Sequence, residues 1–294
     1  MDIPLFQQFW WLDAVTSLGK RWEVVLSYDK KGAVSAALPF LLGSKLGVRY
    51  LLQPQLSQFG GPYYCPSVAR LGDAQRLPAE QYAANQLIDQ LHALHPLFYQ
   101  QSFSPSVTNW LPFYWRGFHQ TTRYTYRLND LSEPDRLFRA FNRNERQRRI
   151  RRLISQCHCV DLSPNAFALF QDQCRRQAAQ RNLLPSALVE HVCAAALRRR
   201  QGLVLGLTDN GGTLMAALFS PFDRHAGYFL VPALDSAYKN EGAMETLVWL
   251  TIQRLSSLTH AYDFEGSMSP GIERFYRSFG AVQTPYFALS KWLL

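Results

Sequence analysis

The chain has 294 residues, enough for one large domain or two of medium size. Hydrophobic residues make up 47% and charged residues 18%, an ordinary globular composition. No run reaches the roughly 18 uninterrupted apolar residues that a membrane span needs. The net charge of +9 is uneven: from Arg136 to Arg152 there are eight arginines and one acid, Glu145. The opening Met1-Asp2-Ile3-Pro4 has no basic stretch leading into an apolar run, so no signal peptide is expected and the cytoplasm is the expected location. The cysteines, Cys65, Cys157, Cys159, Cys174 and Cys193, are odd in number and scattered. They form neither a disulfide framework nor a zinc site, and no metal is expected.

In chain order, residues 5–18 read as a helix stopped at Gly19. Arg21–Tyr28 and Val34–Leu42 read as strands joined by the turn Asp29-Lys30-Lys31-Gly32. A sharp loop follows at Gly60-Gly61-Pro62. Pro78–Leu94 is predicted as a helix, and Leu97–Phe103 and Arg123–Leu128 as strands. Helices are then expected at Pro134–Phe141 and Glu145–Gln156, with Asn142 or Asn144 as a cap, at Pro164–Arg181 after Ser163, and at Ser186–Arg200. Strands follow at Leu203–Thr208, Thr213–Ser220 and Gly227–Val231, then a helix at Glu241–Leu255. A short strand at Ala261–Phe264, a helix at Pro270–Phe279 and a strand at Pro285–Leu289 close the chain. Segregated hairpins and helices argue an α+β fold, and each half repeats the same order of elements.

Two stretches of the second half carry chemistry. Tyr238-Lys239-Asn240-Glu241-Gly242-Ala243-Met244 leads from a strand into a helix. Backbone amides at such a helix mouth, with Lys239 beside them, form an anion site. The plain alternative is an ordinary strand–loop–helix turn. In Asp263-Phe264-Glu265-Gly266, Glu265 stands just past an apolar strand. A carboxylate half-withdrawn from water has a raised pKa and suits a general base for an amine. Its structural alternative is an ion pair with Arg274. On the segment Glu145–Gln156, Ile150, Leu153 and Ile154 are expected to pack inward. Arg148, Arg151 and Arg152 then form a positive stripe suited to phosphates.

The runs Asp263-Phe264-Glu265-Gly266-Ser267, Pro270-Gly271-Ile272 and Phe275-Tyr276-Arg277-Ser278-Phe279-Gly280, in that order, resemble the C-terminal signature of the Fem-like branch of the GNAT acyltransferases. Asn144–Arg152 resembles that branch's basic helix, and residues 58–63, 113–118 and 124–126 resemble its first half. The resemblance implies two tandem GNAT-like domains with mixed, largely antiparallel sheets flanked by helices. A degenerate domain would span residues 1–130, and a domain with the active site residues 131–294, the last strand being free to cross over. It implies transfer of an acyl or aminoacyl group to a small-molecule or peptide amine. Acyl-CoA or aminoacyl-tRNA would be the co-substrate, with no tightly bound cofactor. Two positions depart from the family's patterns. Met244 stands where the CoA loop carries glycine or alanine, and Tyr276 stands where cell-wall Fem transferases carry lysine.

These readings assign Glu265 as base and Tyr276 or Tyr228 as the group that assists the leaving group. Backbone amides near Val231–Leu234 would polarise the carbonyl. Lys239, Asn240, Gly242 and Ala243 would hold donor phosphate, with Arg148 and Arg152 adding charge from the arginine helix. Two alternatives stand beside this: an aminoacyl-tRNA-dependent transferase gripping tRNA through Arg143–Arg152, and a non-catalytic module that binds a ligand or partner.

Overall fold

The computed structural model describes residues 3–178 and 184–292. By internal packing these divide into two units, residues 3–123 with 285–292, and residues 124–284.

The first unit opens with α1 (Phe9–Thr16), followed by the strands β1 (Arg21–Tyr28), β2 (Val34–Lys45), β3 (Val48–Leu52) and β4 (Tyr63–Tyr64). Asp29 closes the β1–β2 hairpin, its Oδ1 accepting from the amides of Lys31 and Ala33. Next come α2 (Pro66–Ala69), α3 (Asp73–Ala93), β5 (Phe98–Ser102), α4 (Leu111–Trp115) and β6 (His119–Leu128), whose last residues belong to the second unit. The helix α3 begins five residues before Pro78, where the sequence placed its start. Arg76 locks that extra turn by bonding Asp73 (2.9 Å) and Glu80 (2.7 Å). Ala83, Ala84, Leu87, Ile88 and Leu91 recur at helical spacing and pack against Leu38, Phe40, Leu51 and Tyr99 of the sheet. Strands β3 and β5 run parallel, and the C-terminal strand β13 (Val282–Trp292) pairs with β5 antiparallel.

The second unit continues with α5 (Pro134–Ala140), a π-helical turn (Arg143–Gln147), α6 (Arg148–Leu153), β7 (Cys157–Asp161), α7 (Pro164–Gln177) and α8 (Ser186–Arg198). Asn142 caps the π turn and Ser163 caps α7, both as the sequence indicates. The expected extension of α7 through residues 179–181 lies outside the described residues. Then come β8 (Gly202–Asp209), β9 (Leu214–Pro221), β10 (Ala226–Tyr228), β11 (Val231–Leu234), α9 (Ala243–Leu255), β12 (Ala261–Gly266) and α10 (Pro270–Arg277). One sheet has the antiparallel order β11-β9-β8-β7, and β6, β12 and β10 pair in that order. The core joins Leu247, Val248, Ile252 and Leu255 of α9 to Leu205, Leu218, Tyr262, Phe264 and Phe279. Ile150 and Leu153 are buried as expected. Ile154 is not: a 3₁₀ turn at Ile154–Gln156 ends the helical phase and leaves its side chain exposed. Among the described residues no helix is long and apolar enough to cross a membrane.

Candidate active site

The site begins where a single apolar run divides. The sequence reads Gly227–Val231 as one strand, but the chain forms two. Strand β10 pairs parallel with β12 and reaches its last link at the Phe229 amide, which donates to the Asp263 carbonyl (2.9 Å). Strand β11 leaves that neighbour and pairs antiparallel with β9. The Asp235 amide bonds the Met215 carbonyl (3.0 Å), so by antiparallel alternation the Val231 and Ala233 amides also face β9. Pro232 has no N–H. Of the amides expected to polarise a carbonyl, the one at Leu234 therefore faces the open side. Strand β11 thus diverges from β12, and the gap this opens is the candidate site.

Strand β12 delivers the acids. Its pairing with β6 shifts register between Asp263 and Gly266, and Glu265 within this bulge has φ +65°. A non-glycine residue held there is strained, and such strain clusters at working sites. Asp263 is fully buried and holds the bulge. Its Oδ1 accepts from the Thr125 hydroxyl and from the Glu265 amide (2.8 Å), and its Oδ2 lies 3.6 Å from Arg127 Nε. Glu265 Oε1 is buried with no hydrogen-bond partner among the described residues. Burial, and then the neighbouring Asp263, push the Glu265 carboxyl well above its ordinary pKa. Burial also raises Asp263, against the pull of Arg127.

Tyr276 packs edge and face among Phe264 (5.3 Å between ring centroids), Phe229 (5.9 Å) and Tyr126 (6.1 Å). Burial holds its phenol protonated, with Glu265 and Asp263 adding to the effect. Tyr228 is buried too, and its phenol is raised by burial and by the carboxylates Asp223 and Asp263. The fold thus gathers Glu265, Tyr276 and Tyr228 into one electrostatic neighbourhood.

Two adjoining chambers open from the gap. The apolar one, of about 410 Å³, is lined by Phe229, Pro232, Leu234, Ile272, Phe275 and Tyr276 among others. The polar one, of about 390 Å³, is lined by Arg146, Arg149, Lys239, Glu245 and Arg274 among others. Leu234, Met244, Gly271 and Phe275 border both. Glu265 and Tyr228 line neither chamber, and Tyr276 is the member of the trio that does.

The loop before α9 and the arginine segment meet. Gly242 caps α9 at φ +88°, and a Cβ there would stand 2.9 Å from the Arg149 Cβ. Met244, which departs from the glycine or alanine of the CoA loop, is buried in the wall between the chambers, and the side chain over Gly242 is that of Arg149. Buried Glu245 accepts from Arg146 Nη1 (2.7 Å) and Arg149 Nη1 (2.9 Å). Arg152 bonds the Glu241 carboxylate (3.0 Å) and its carbonyl (3.1 Å). Arg146 also donates to the Ser278 hydroxyl (2.5 Å), and its guanidinium lies 4.6 Å from the Phe275 ring centroid. Arg148 is exposed and makes no ion pair among the described residues. Lys239 lines the polar chamber, whereas Asn240, Gly242 and Ala243 do not.

Residues 135–275 match the family model described as an acetyltransferase (GNAT) domain. The chain is similar in structure to FemX, with a TM-score of 0.68 and 10% identity, over 96% of this chain and 91% of that one. The chain therefore carries a GNAT-type domain match over residues 135–275 and shares its fold with FemX. It is also similar to L-PGS from Bacillus licheniformis (TM-score 0.55, 11% identity, 95% and 86% of the two chains). A third similar structure is a tandem GNAT protein from the clavulanic acid biosynthesis pathway (TM-score 0.53, 8% identity, 94% and 84%). A sequence search of curated proteins found no match.

Within this fold, sequence reasoning missed the arginine clamp. Arg146, Arg149 and Arg152 recur every three residues, and Glu241 and Glu245 stand four apart, so two helical stripes of opposite charge were there to be matched. It also assigned Arg274 to Glu265 as the structural alternative, whereas Arg274 pairs with Glu145.

Proposed function

We propose that this chain is an N-acyltransferase that moves an acyl or aminoacyl group from a carrier to an amine. The observation that carries this reading is Glu265: a carboxylate with a buried, unpartnered oxygen, held in a strained bulge by Asp263, beside a neutral tyrosine that borders an apolar chamber. The attacking amine nitrogen bonds the donor carbonyl carbon. Glu265, directly or through one water, takes the proton that the nitrogen releases. A base with a raised pKa is matched to an amine near neutral pH. The Leu234 amide donates to the developing oxyanion. Tyr276, or Tyr228 behind it, returns a proton to the departing sulfur or oxygen as the carbon–heteroatom bond breaks. Lys239 holds the carrier's anionic end in the polar chamber, with Asn240, Gly242 and Ala243 shaping the turn beside it.

A second reading of the donor, an aminoacyl-tRNA, draws on the exposed Arg143, Arg148 and Arg151, none of which has an acid partner among the described residues. It requires binding whose log affinity falls with log salt. The test of the main reading is single-turnover transfer by Glu265→Gln, supplied with acyl-CoA and, separately, with aminoacyl-tRNA. Loss of transfer with binding retained supports the assignment, and an unchanged rate removes it.

A further inference from the structure

Three glutamines are buried among the described residues, and their amides meet different fates. Gln101 is fully used: its Oε1 accepts from Tyr99 (3.0 Å) and the Gly61 amide (3.1 Å), and its Nε2 donates to the Pro39 carbonyl (2.7 Å). Gln147 donates to the carbonyls of Phe141 (2.8 Å) and Arg139 (3.2 Å). Gln171, 5% exposed, makes no side-chain hydrogen bond to any described residue, and its Oε1 is shielded from solvent. It lies on the inward stripe of α7, between Phe167 and Cys174, and lines the apolar chamber. Leucine at that position would fill the wall without stranding an amide, so the amide has no structural use there.

We propose that Gln171 is a specificity-determining residue that reads an amide group on the ligand in the apolar chamber. This rests on the acyl-transfer reading of the site and adds the chemical class of what enters it. A carboxamide offers a donor and an acceptor in one plane, and a second amide complements both at once. The facing wall is alike in kind: the alternation that turns Val231 and Ala233 toward β9 leaves the Leu234 N–H and the Pro232 carbonyl on the open side. The chamber's other polar side chains are Cys174, Arg175 and Tyr276. Burial, aided by Asp235, pushes the Cys174 thiol up to about 12, so it carries no charge, and Arg175 donates to the Leu184 carbonyl (3.1 Å). No carboxylate borders the chamber among the described residues. The amide has two sources, the arm of the donor's carrier or the acyl or acceptor part itself.

The test uses the full chain and two shape-matched probes, N-butylhexanamide and butyl hexanoate, titrated calorimetrically, with free CoA as a third ligand. Wild type is expected to bind the amide about tenfold or more tightly than the ester, because the ester strands Gln171. In Gln171→Leu the two probes bind alike, and thermal stability is no lower than wild type, since no internal bond is lost. Tenfold weaker CoA binding in Gln171→Leu assigns the amide to the carrier arm. Unchanged CoA binding assigns it to the acyl or acceptor part. Equal binding of amide and ester by wild type, or a preference that survives Gln171→Leu, overturns the proposal. Glu265→Gln should keep the amide preference while losing transfer, so the two readings fail separately.

Discussion

Two glutamates in the same unit, one buried and one half-buried with a shielded oxygen, are treated in opposite ways. Glu245 sits in the first turn of α9 with two arginines on one oxygen. Glu265, in the bulge of β12, has a buried oxygen with no partner among the described residues and a second acid as its neighbour. Paired charge in the interior is a fastening, since removing either partner strands the other. Unpaired charge is a liability to the fold and a resource for proton transfer. On the proposed function, the difference separates the part of the arginine segment that builds the site from the part of β12 that works in it.

The comparison predicts that the same substitution acts oppositely at the two positions. Glu265→Gln should lower single-turnover transfer by at least about 10²-fold, the usual contribution of a positioned base. It should also raise stability at neutral pH. The sign follows from the raised pKa: the stability that protonated Glu265 contributes is fully present below the ordinary value of 4.5, and is lost as pH rises through the folded value. The melting advantage of the glutamine variant should therefore grow with pH. Glu245→Gln should instead destabilise the protein by about 3 kcal/mol by leaving Arg146 buried without its counter-charge, measured by denaturant unfolding. If both variants are destabilised alike, the distinction fails.

Smaller effects sharpen the picture. Gly242→Ala should cost about 1–3 kcal/mol, because φ +88° is unfavourable to a side chain and the new Cβ meets Arg149. An unchanged melting temperature would mean that the clamp is looser than described. Asp263→Asn keeps an acceptor for Thr125 and the Glu265 amide but removes a negative charge, so the acidic limb of the rate profile should move to lower pH. Arg148→Ala should leave stability unaltered and reduce the salt dependence of RNA binding by about one phosphate contact, if RNA carries the donor.

Local chemistry made part of this legible from sequence. The caps at Asn142 and Ser163 are decided within three residues, and the order of hairpins and helices is enough for the α+β class. What escaped depends on distant partners. Nothing within the apolar run Gly227–Val231 tells that its two ends pair with different strands, although Pro232 marks where a ladder bond is missing. The Arg146–Glu245 bond joins residues 99 apart. The left-handed backbone at Glu265 is marked by no glycine, and is imposed by Asp263 and the register shift. Gln171 reads as one polar residue in an amphipathic helix until its unused amide is seen beside a chamber.

On the proposed function, Glu265 is a base with a shielded oxygen and a raised pKa. The most direct measurement is the single-turnover transfer rate as a function of pH, for wild type, Glu265→Gln and Asp263→Asn. The wild-type rate should climb through a pKa well above the ordinary carboxylate value, with the same limb displaced to lower pH in Asp263→Asn and no limb in Glu265→Gln. A Glu265→Gln enzyme with the wild-type rate and the wild-type limb would contradict it.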